Sequence, residues 1–543
     1  MAQTTQLPLR ASTATPENGA KGKAANGLAR AVMAHLKGDA SAALEALPAD
    51  GSGEAGTPEA LAGRAHLLAE LGRHEEAAAE YDKLLALRPH YVEGHYQCGA
   101  RLYQLGRYED ALARFNKSVE LDPTRADAHL VKGICLLHLK RPEEALEAFG
   151  KCLEKSPGLE AALLGKGVAL QLTWEFDEAV EIYEQVLRRN PDCEEASSNL
   201  IALGMQRKDY PLVRKHAQQV LARDAAAQTA LEGLSTAAFA EGNYEEAAQH
   251  YCRLVELHPR NYDYWFNLGV TYQKMEKLLD SAAAYQNAAS LRPDATAAHI
   301  NLAAVQHEMG DLQGSRQALE AALAVAPERT DLRYQRAVAI EEQGSAEEAE
   351  RLYAELAEKD CPEFENAQFR CGYLRLQRGD YEGAAESLQA CVKKRPGWSG
   401  AELNLALAYW KLGKYGASQD VLVELLKREP GNVEAARGMA ANALEQNDTA
   451  GALRWHLCLQ ELGQQTPEVL QNTAILYQQS GDQESAIRTY REAIAAKPDF
   501  AEALLNLGHA LEASGDHAGA REAWVKALEL KPELAAGYFL SGV

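Results

Sequence analysis

Prolines recur in this chain at a fixed interval. Pro89, Pro123, Pro157 and Pro191 stand 34 residues apart, and the same step reaches Pro259, Pro293 and Pro327 after passing Ala225. Cys361 then takes the expected place with Pro362 one residue late. From Pro362 the step gives Pro396 and Pro430, passes Gln464, and returns at Pro498 and Pro532. A register kept through most of the chain restricts it to a tandem array. A unit of this length is one supersecondary element, and it must stack on copies of itself to bury an apolar face.

Other positions keep the same step. Sixteen residues after Gly99, Gly133, Gly167, Gly269, Gly372 and Gly508 stand Phe115, Phe149, Tyr183, Tyr285, Leu388 and Trp524. Four residues before those lie Ala111, Ala145, Ala179, Ser281, Ala384 and Ala520. Turn signals such as Gly106-Arg107-Tyr108 and Gly379-Asp380-Tyr381 separate the two clusters. Each unit therefore predicts two amphipathic helices of about a dozen residues joined by a short turn. A left-handed glycine closes the first helix, and proline stops the second. Acidic pairs such as Glu75-Glu76 and Glu245-Glu246 fall where the second helices begin, the place the helix dipole favours.

The stretch YWFNLGVTYQK, Tyr264 to Lys274, carries Gly269 inside a helical pattern, although glycine costs about 1 kcal/mol there relative to alanine. Trp265, Leu268, Gly269 and Tyr272 fall at i, i+3, i+4 and i+7, which predicts one buried face. Gly269 is expected where the paired helices cross, because a side chain would push the backbones apart.

Trp265, Leu268-Gly269, Tyr272, Tyr285, Ala288 and Pro293 in one unit, and Leu507-Gly508, Ala520, Ala527 and Pro532 in another, resemble the tetratricopeptide repeat. Fourteen units over 58–534 begin near 58, 92, 126, 160, 194, 228, 262, 296, 330, 365, 399, 433, 467 and 501. The resemblance implies an all-α fold, an α-solenoid forming a right-handed superhelix of antiparallel helix pairs, with first helices lining a concave channel. Units 194–227 and 433–466 are weak: Ile201 replaces a small residue, Val213 an alanine and Ala225 a proline, and the second unit lacks its terminal proline. Residues 1–23 read as a flexible N-terminal tail, 24–57 as a degenerate repeat or cap plus loop, and 535–543 as a truncated repeat or C-terminal cap.

The formal net charge of −22 disfavours nucleic acid and anionic membranes as partners. No apolar stretch reaches the length of a membrane span, and the opening residues lack a secretory core, so a cytoplasmic protein is expected. Nine cysteines show no C-x-x-C pair and are expected to pack as small hydrophobes. Histidines such as His299 and His307, or His509 and His517, are too far apart along a helix for paired ligation, so neither metal nor cofactor is expected. With no phosphate loop, nucleophile elbow or H-E-x-x-H helix, and with the repeats filling the chain, no enzyme is expected.

Six units place asparagine at one site, namely Asn199, Asn267, Asn301, Asn404, Asn472 and Asn506. An amide both donates and accepts, so such a row can pair with a peptide backbone without reading its side chains. In this it resembles the repeat arms of O-linked N-acetylglucosamine transferases, though Gly165, Gly233, Gln335, Arg370 and Gly438 interrupt it. Phe266, Tyr334, Phe369, Tyr373 and Trp410 are expected on the same inner face, as aromatic anchors for a peptide. A chaperone-tail clamp is disfavoured, because Asp263 and Glu468 hold the place where that repeat subclass needs lysine. The expected function is a noncatalytic scaffold binding peptide segments or partner proteins. The alternatives are a targeting subunit of an enzyme such as a glycosyltransferase, and a protein that self-associates through Tyr538, Phe539 and Leu540.

Overall fold

The computed structural model describes residues 24–47, 56–357 and 361–536. Among them thirty α-helices follow one another from Ala24 to Leu530, a short 3-10 turn follows at Pro532–Leu534, and no strand occurs. The all-α reading holds. No described helix is long and apolar enough to cross a membrane. Residues 1–23, Tyr538, Phe539, Leu540 and the segment 358–360 beside the expected one-residue insertion lie outside the described residues.

From Pro58 onward the helices alternate as first and second members of hairpins. The first helices begin at 58, 92, 126, 160, 194, 228, 262, 296, 330, 364, 399, 433, 467 and 501. Tyr262–Lys274 and Leu278–Leu291 make one such pair, joined by a three-residue turn. The turn requires one left-handed residue. Gly106 supplies it at φ 75°, but the matching residue of another hairpin is Trp174 at φ 68°. An L-residue there costs about 1–2 kcal/mol. Aspartate caps many second helices, as where Asp516 accepts from the Gly519 amide at 2.9 Å.

Glycines at the helix crossings explain the sixteen-residue spacing. A Cβ added at Gly99, Gly133, Gly167, Gly269 or Gly372 would come within 2.5–2.8 Å of Phe115, Phe149, Tyr183, Tyr285 or Leu388 respectively. Each of those five side chains is fully buried. The weak unit 194–227 solves the crossing by reversing sizes: Ile201 and Val213 are buried on one side, and the bulky position of other units is held by Ala217.

One phase is corrected. On Tyr262–Lys274 the buried residues are Tyr264, Leu268, Gly269 and Thr271, whereas Trp265 and Tyr272 are only half-buried. Each first helix packs against its own partner and against the next hairpin, so the covered surface is wider than one stripe. Trp265 packs on a cluster shared between them, with Ala288 and Ala289 from its own second helix and Ala298 from the next hairpin.

The chain divides into two compact units, Met1–Pro259 and Arg260–Val543. In the first, Ala24–His35 and Ala40–Glu45 bring Ala31, Ala43 and Leu47 against Ala60 and Leu67 of Pro58–Glu70. Within each unit successive first helices approach one another directly, for instance Val92–Gln104 with Ala126–His138, and Ser399–Lys411 with Val433–Glu445. Successive second helices do not approach as closely. The first-helix side is thus the crowded side of each stack.

Candidate functional site

The asparagines sit at the sixth position of their first helices, where a side chain lies beside the bulky residue of the preceding hairpin. Asn301 shows what that place offers. Its amide bonds the hydroxyl of Tyr285, which also donates to Gln273 Oε1 at 3.0 Å. Burial pushes the Tyr285 hydroxyl up to about 12, and the Asn301 bond works against that shift. Arg370 occupies the same position without being an asparagine. It donates to Glu341 Oε2 at 3.0 Å, while the Tyr353 hydroxyl donates to the same oxygen at 2.9 Å. Burial alone would pull the guanidinium down, and Glu341 with Tyr353 more than reverses it.

Not every asparagine is held this way. Asn404 bonds its own helix, donating to the Gly400 carbonyl at 3.0 Å. The amides of Asn199, Asn267, Asn472 and Asn506 have no hydrogen-bond partner among the described residues. Asn472 is exposed and the other three are half-buried. Asn199 belongs to Met1–Pro259 and the other five asparagines to Arg260–Val543. The row is therefore mixed, with two amides engaged internally and four available.

The aromatic residues separate in a similar way. Phe266 stacks on Tyr262 with ring centroids 5.7 Å apart and tilts against Tyr285 at 5.6 Å, packed on the core. Tyr334 leans on Tyr353 at 5.6 Å, likewise against core residues. Phe369 and Tyr373 are brought together, nearly parallel at 6.4 Å, with Tyr373 open to solvent. Trp398 extends this column, 4.5 Å from Phe369, and the Arg395 guanidinium caps it 4.7 Å from the indole. Trp398 was not among the sequence candidates, because it precedes the helix Ser399–Lys411 and carries no helical period. Its signal is the aromatic that follows Pro396-Gly397, matched by Tyr91 after Pro89-His90. Trp410 is half-buried, and its indole N–H is shielded with no partner among the described residues.

The acids that replace a clamp lysine have structural partners. Asp263 faces Arg292 at 3.9 Å and Glu468 faces Lys497 at 3.7 Å. Glu59 with Arg88 and Glu502 with Lys531 repeat the arrangement, each at 2.6 Å. The pair joins the start of a first helix to the end of its own second helix.

Several histidines are structural as well. His95, His129 and His299 each bond the carbonyl of the proline six residues earlier, at 2.9, 3.2 and 3.1 Å. The nine cysteines are free thiols, and six of them are buried. Burial pushes the Cys98 and Cys135 thiols up to about 12, so neither is a thiolate at neutral pH.

Models of the tetratricopeptide repeat family match 99–160, 266–330, 308–363 and 334–398, then 136–204 and 375–441, then 58–91 and 501–534. Another, described as TPR repeat, matches 237–276 and 475–515. Together these take in more than half of the chain. The human protein named Protein O-mannosyl-transferase TMTC3 is 24% identical over 278 residues, which is 49% of this chain. The chain spans 30% of the length of that relative. Among solved structures, the Cut9–Hcn1 hetero-tetramer of the APC/C is 15% identical, with 90% of this chain and 96% of that one covered and a TM-score of 0.32. YrrB, titled a TPR protein with an unusual peptide-binding site, is 22% identical, with 34% and 95% covered and a TM-score of 0.31.

Proposed function

This chain belongs to the tetratricopeptide repeat family, and from that premise we propose that it is a noncatalytic scaffold that takes an extended segment of a partner protein along its first helices. The unit Arg260–Val543 carries most of the contact. The observation behind this reading is the set of unengaged amides at Asn267, Asn472 and Asn506, on the same series of helices as the solvent-facing Tyr373. Each amide offers a donor and an acceptor to a peptide backbone, worth about 0.5–1.5 kcal/mol per bond. Tyr373, Phe369 and Trp398 provide an aromatic anchor of the kind that dominates peptide interfaces. With a net charge of −22, the favoured segment is neutral or basic, and nucleic acid is disfavoured.

The test is affinity capture with the full chain from its own cells, followed by peptide mapping on the partner recovered. Replacing Asn267, Asn472 and Asn506 together by alanine should weaken a mapped peptide by roughly tenfold or more, since three such bonds are lost. Tyr373→Ala should weaken it as well. Equal affinity for wild type and both variants would remove the reading.

The similarity to a protein named as an O-mannosyl-transferase supports a second reading, in which this chain brings substrates to a glycosyltransferase carried on another polypeptide. Sugar transfer should then occur in the captured complex and not with the purified chain alone.

A further inference from the structure

We propose that His35, His66 and Glu70, in the unit Met1–Pro259, form a binding site for a divalent transition ion of the zinc class. The ion would staple the N-terminal helix pair to the hairpin that follows. One ligand atom from each of the three residues lies within 4.8 Å of the other two. His35 Nδ1 is 3.3 Å from Glu70 Oε2, and the two imidazoles meet edge to face with centroids 5.7 Å apart.

The placement follows from helix geometry. His66 and Glu70 are four residues apart on Pro58–Glu70 and so share one face. His35 is the last residue of Ala24–His35, which packs on that same helix. Two imidazoles and a carboxylate are a donor set that zinc takes at about 2.0–2.2 Å, which puts tetrahedral ligand atoms roughly 3.3 Å apart. The ion would draw the three groups to that spacing, with His35 Nδ1 and Glu70 Oε2 already 3.3 Å apart. His66 and Glu70 are exposed, so water completes the fourth position.

Ion pairing alone does not account for the cluster. A protonated His35 would satisfy Glu70, but His66 would then face a second imidazole with no hydrogen-bond partner among the described residues. No linear spacing reveals this site, because its histidines belong to different hairpins.

The experiment uses the full chain stripped with a chelator and titrated with Zn2+ against a chromophoric competitor. Co2+ serves as a second probe, since a tetrahedral site gives it visible absorption. The expected result is one tight equivalent in the wild type, at least about tenfold weaker in His66→Ala and in Glu70→Gln. His307→Ala should match the wild type, because His307 pairs with Glu342 at 2.6 Å and joins no three-ligand group among the described residues. Hydrogen exchange gives an independent readout: Zn2+ should slow exchange over 24–47 in the wild type and not in His66→Ala. His66 is exposed, so the variant should fold, and its metal-free exchange pattern checks that. Equal affinity in wild type and His66→Ala, or no slowing of 24–47 by Zn2+, overturns the proposal.

Discussion

Replacing Gly269 by alanine sets two known effects against each other. Helix propensity alone favours the change by about 1 kcal/mol. The new Cβ, however, would stand 2.7 Å from Cδ1 and Cε1 of Tyr285, well inside the usual carbon contact of about 3.5–4.0 Å. Tyr285 is fully buried and its hydroxyl is tied to Gln273 and Asn301. The Ser281 hydroxyl donates to the Gly269 carbonyl at 2.8 Å, which fixes the two helices at their crossing. Forcing an extra methyl into such a core costs about 1–3 kcal/mol, so the net change is a loss of roughly 1 kcal/mol.

Gly150 supplies the control. It lies inside Pro142–Lys155, and a Cβ there meets nothing within 4 Å. Gly150→Ala should therefore gain about 1 kcal/mol from propensity alone. The two identical substitutions should differ by about 2 kcal/mol, on the order of thirtyfold in local opening. Long repeat arrays do not unfold as one unit, so the assay is residue-level hydrogen exchange over each hairpin rather than a melting curve. Ala337 and Tyr353 share a buried cluster in this same chain, as do Ala474 and Tyr490. Alanine is thus accepted where helices are spaced for it, and the loss at 269 is the work of respacing a pair set for glycine. Shrinking the ring relieves that work, so Gly269→Ala should do less harm in a Tyr285→Leu background. Slower exchange in Gly269→Ala, or strictly additive effects of the two changes, would refute the reasoning.

The hydroxyls of two buried tyrosines should respond in opposite directions. Tyr285→Phe loses bonds worth about 0.5–1.5 kcal/mol each, whereas the Tyr183 hydroxyl is buried without a partner among the described residues and Tyr183→Phe should be neutral or stabilising in the same exchange assay. In the unit Met1–Pro259, Glu246 accepts from Arg214 at 2.6 and 2.9 Å, and these bonds hold its carboxyl below the ordinary 4.5 against the opposing effect of burial. A depressed carboxyl binds fewer protons when folded, so its contribution is present above about pH 4.5 and fades as pH falls through the lower folded value. Protection factors over 210–257, which correct for the slower intrinsic exchange in acid, should fall in that window, and Glu246→Gln should flatten the step.

The residues proposed to contact a peptide were legible only as a position. The sixth place of the first helix is visible as a recurring asparagine, but its neighbour is a side chain from the preceding hairpin. Asn301 reaches Tyr285, and Arg370 takes the same place with an entirely different side chain. Phe266 and Tyr334, expected as anchors, are half-buried and pack against the core, each meeting a large ring, Tyr285 or Tyr353. Trp398 escaped notice because a residue just ahead of a helix belongs to no period, although it joins Phe369 in a stack.

Helix, turn and crossing are short-range matters. The 34-residue proline step, the glycine sixteen residues before a bulky side chain, and the acids at second-helix starts each act within one hairpin, so the amino-acid order alone determined them. What lay beyond one hairpin was decided by stacking. The buried phase of Tyr262–Lys274 depends on a second packing surface, and the meeting of His35 with His66 and Glu70 depends on how one helix pair settles on the next. Those contacts join side chains whose separation along the chain has no fixed period, and only the packed backbone brings them within reach.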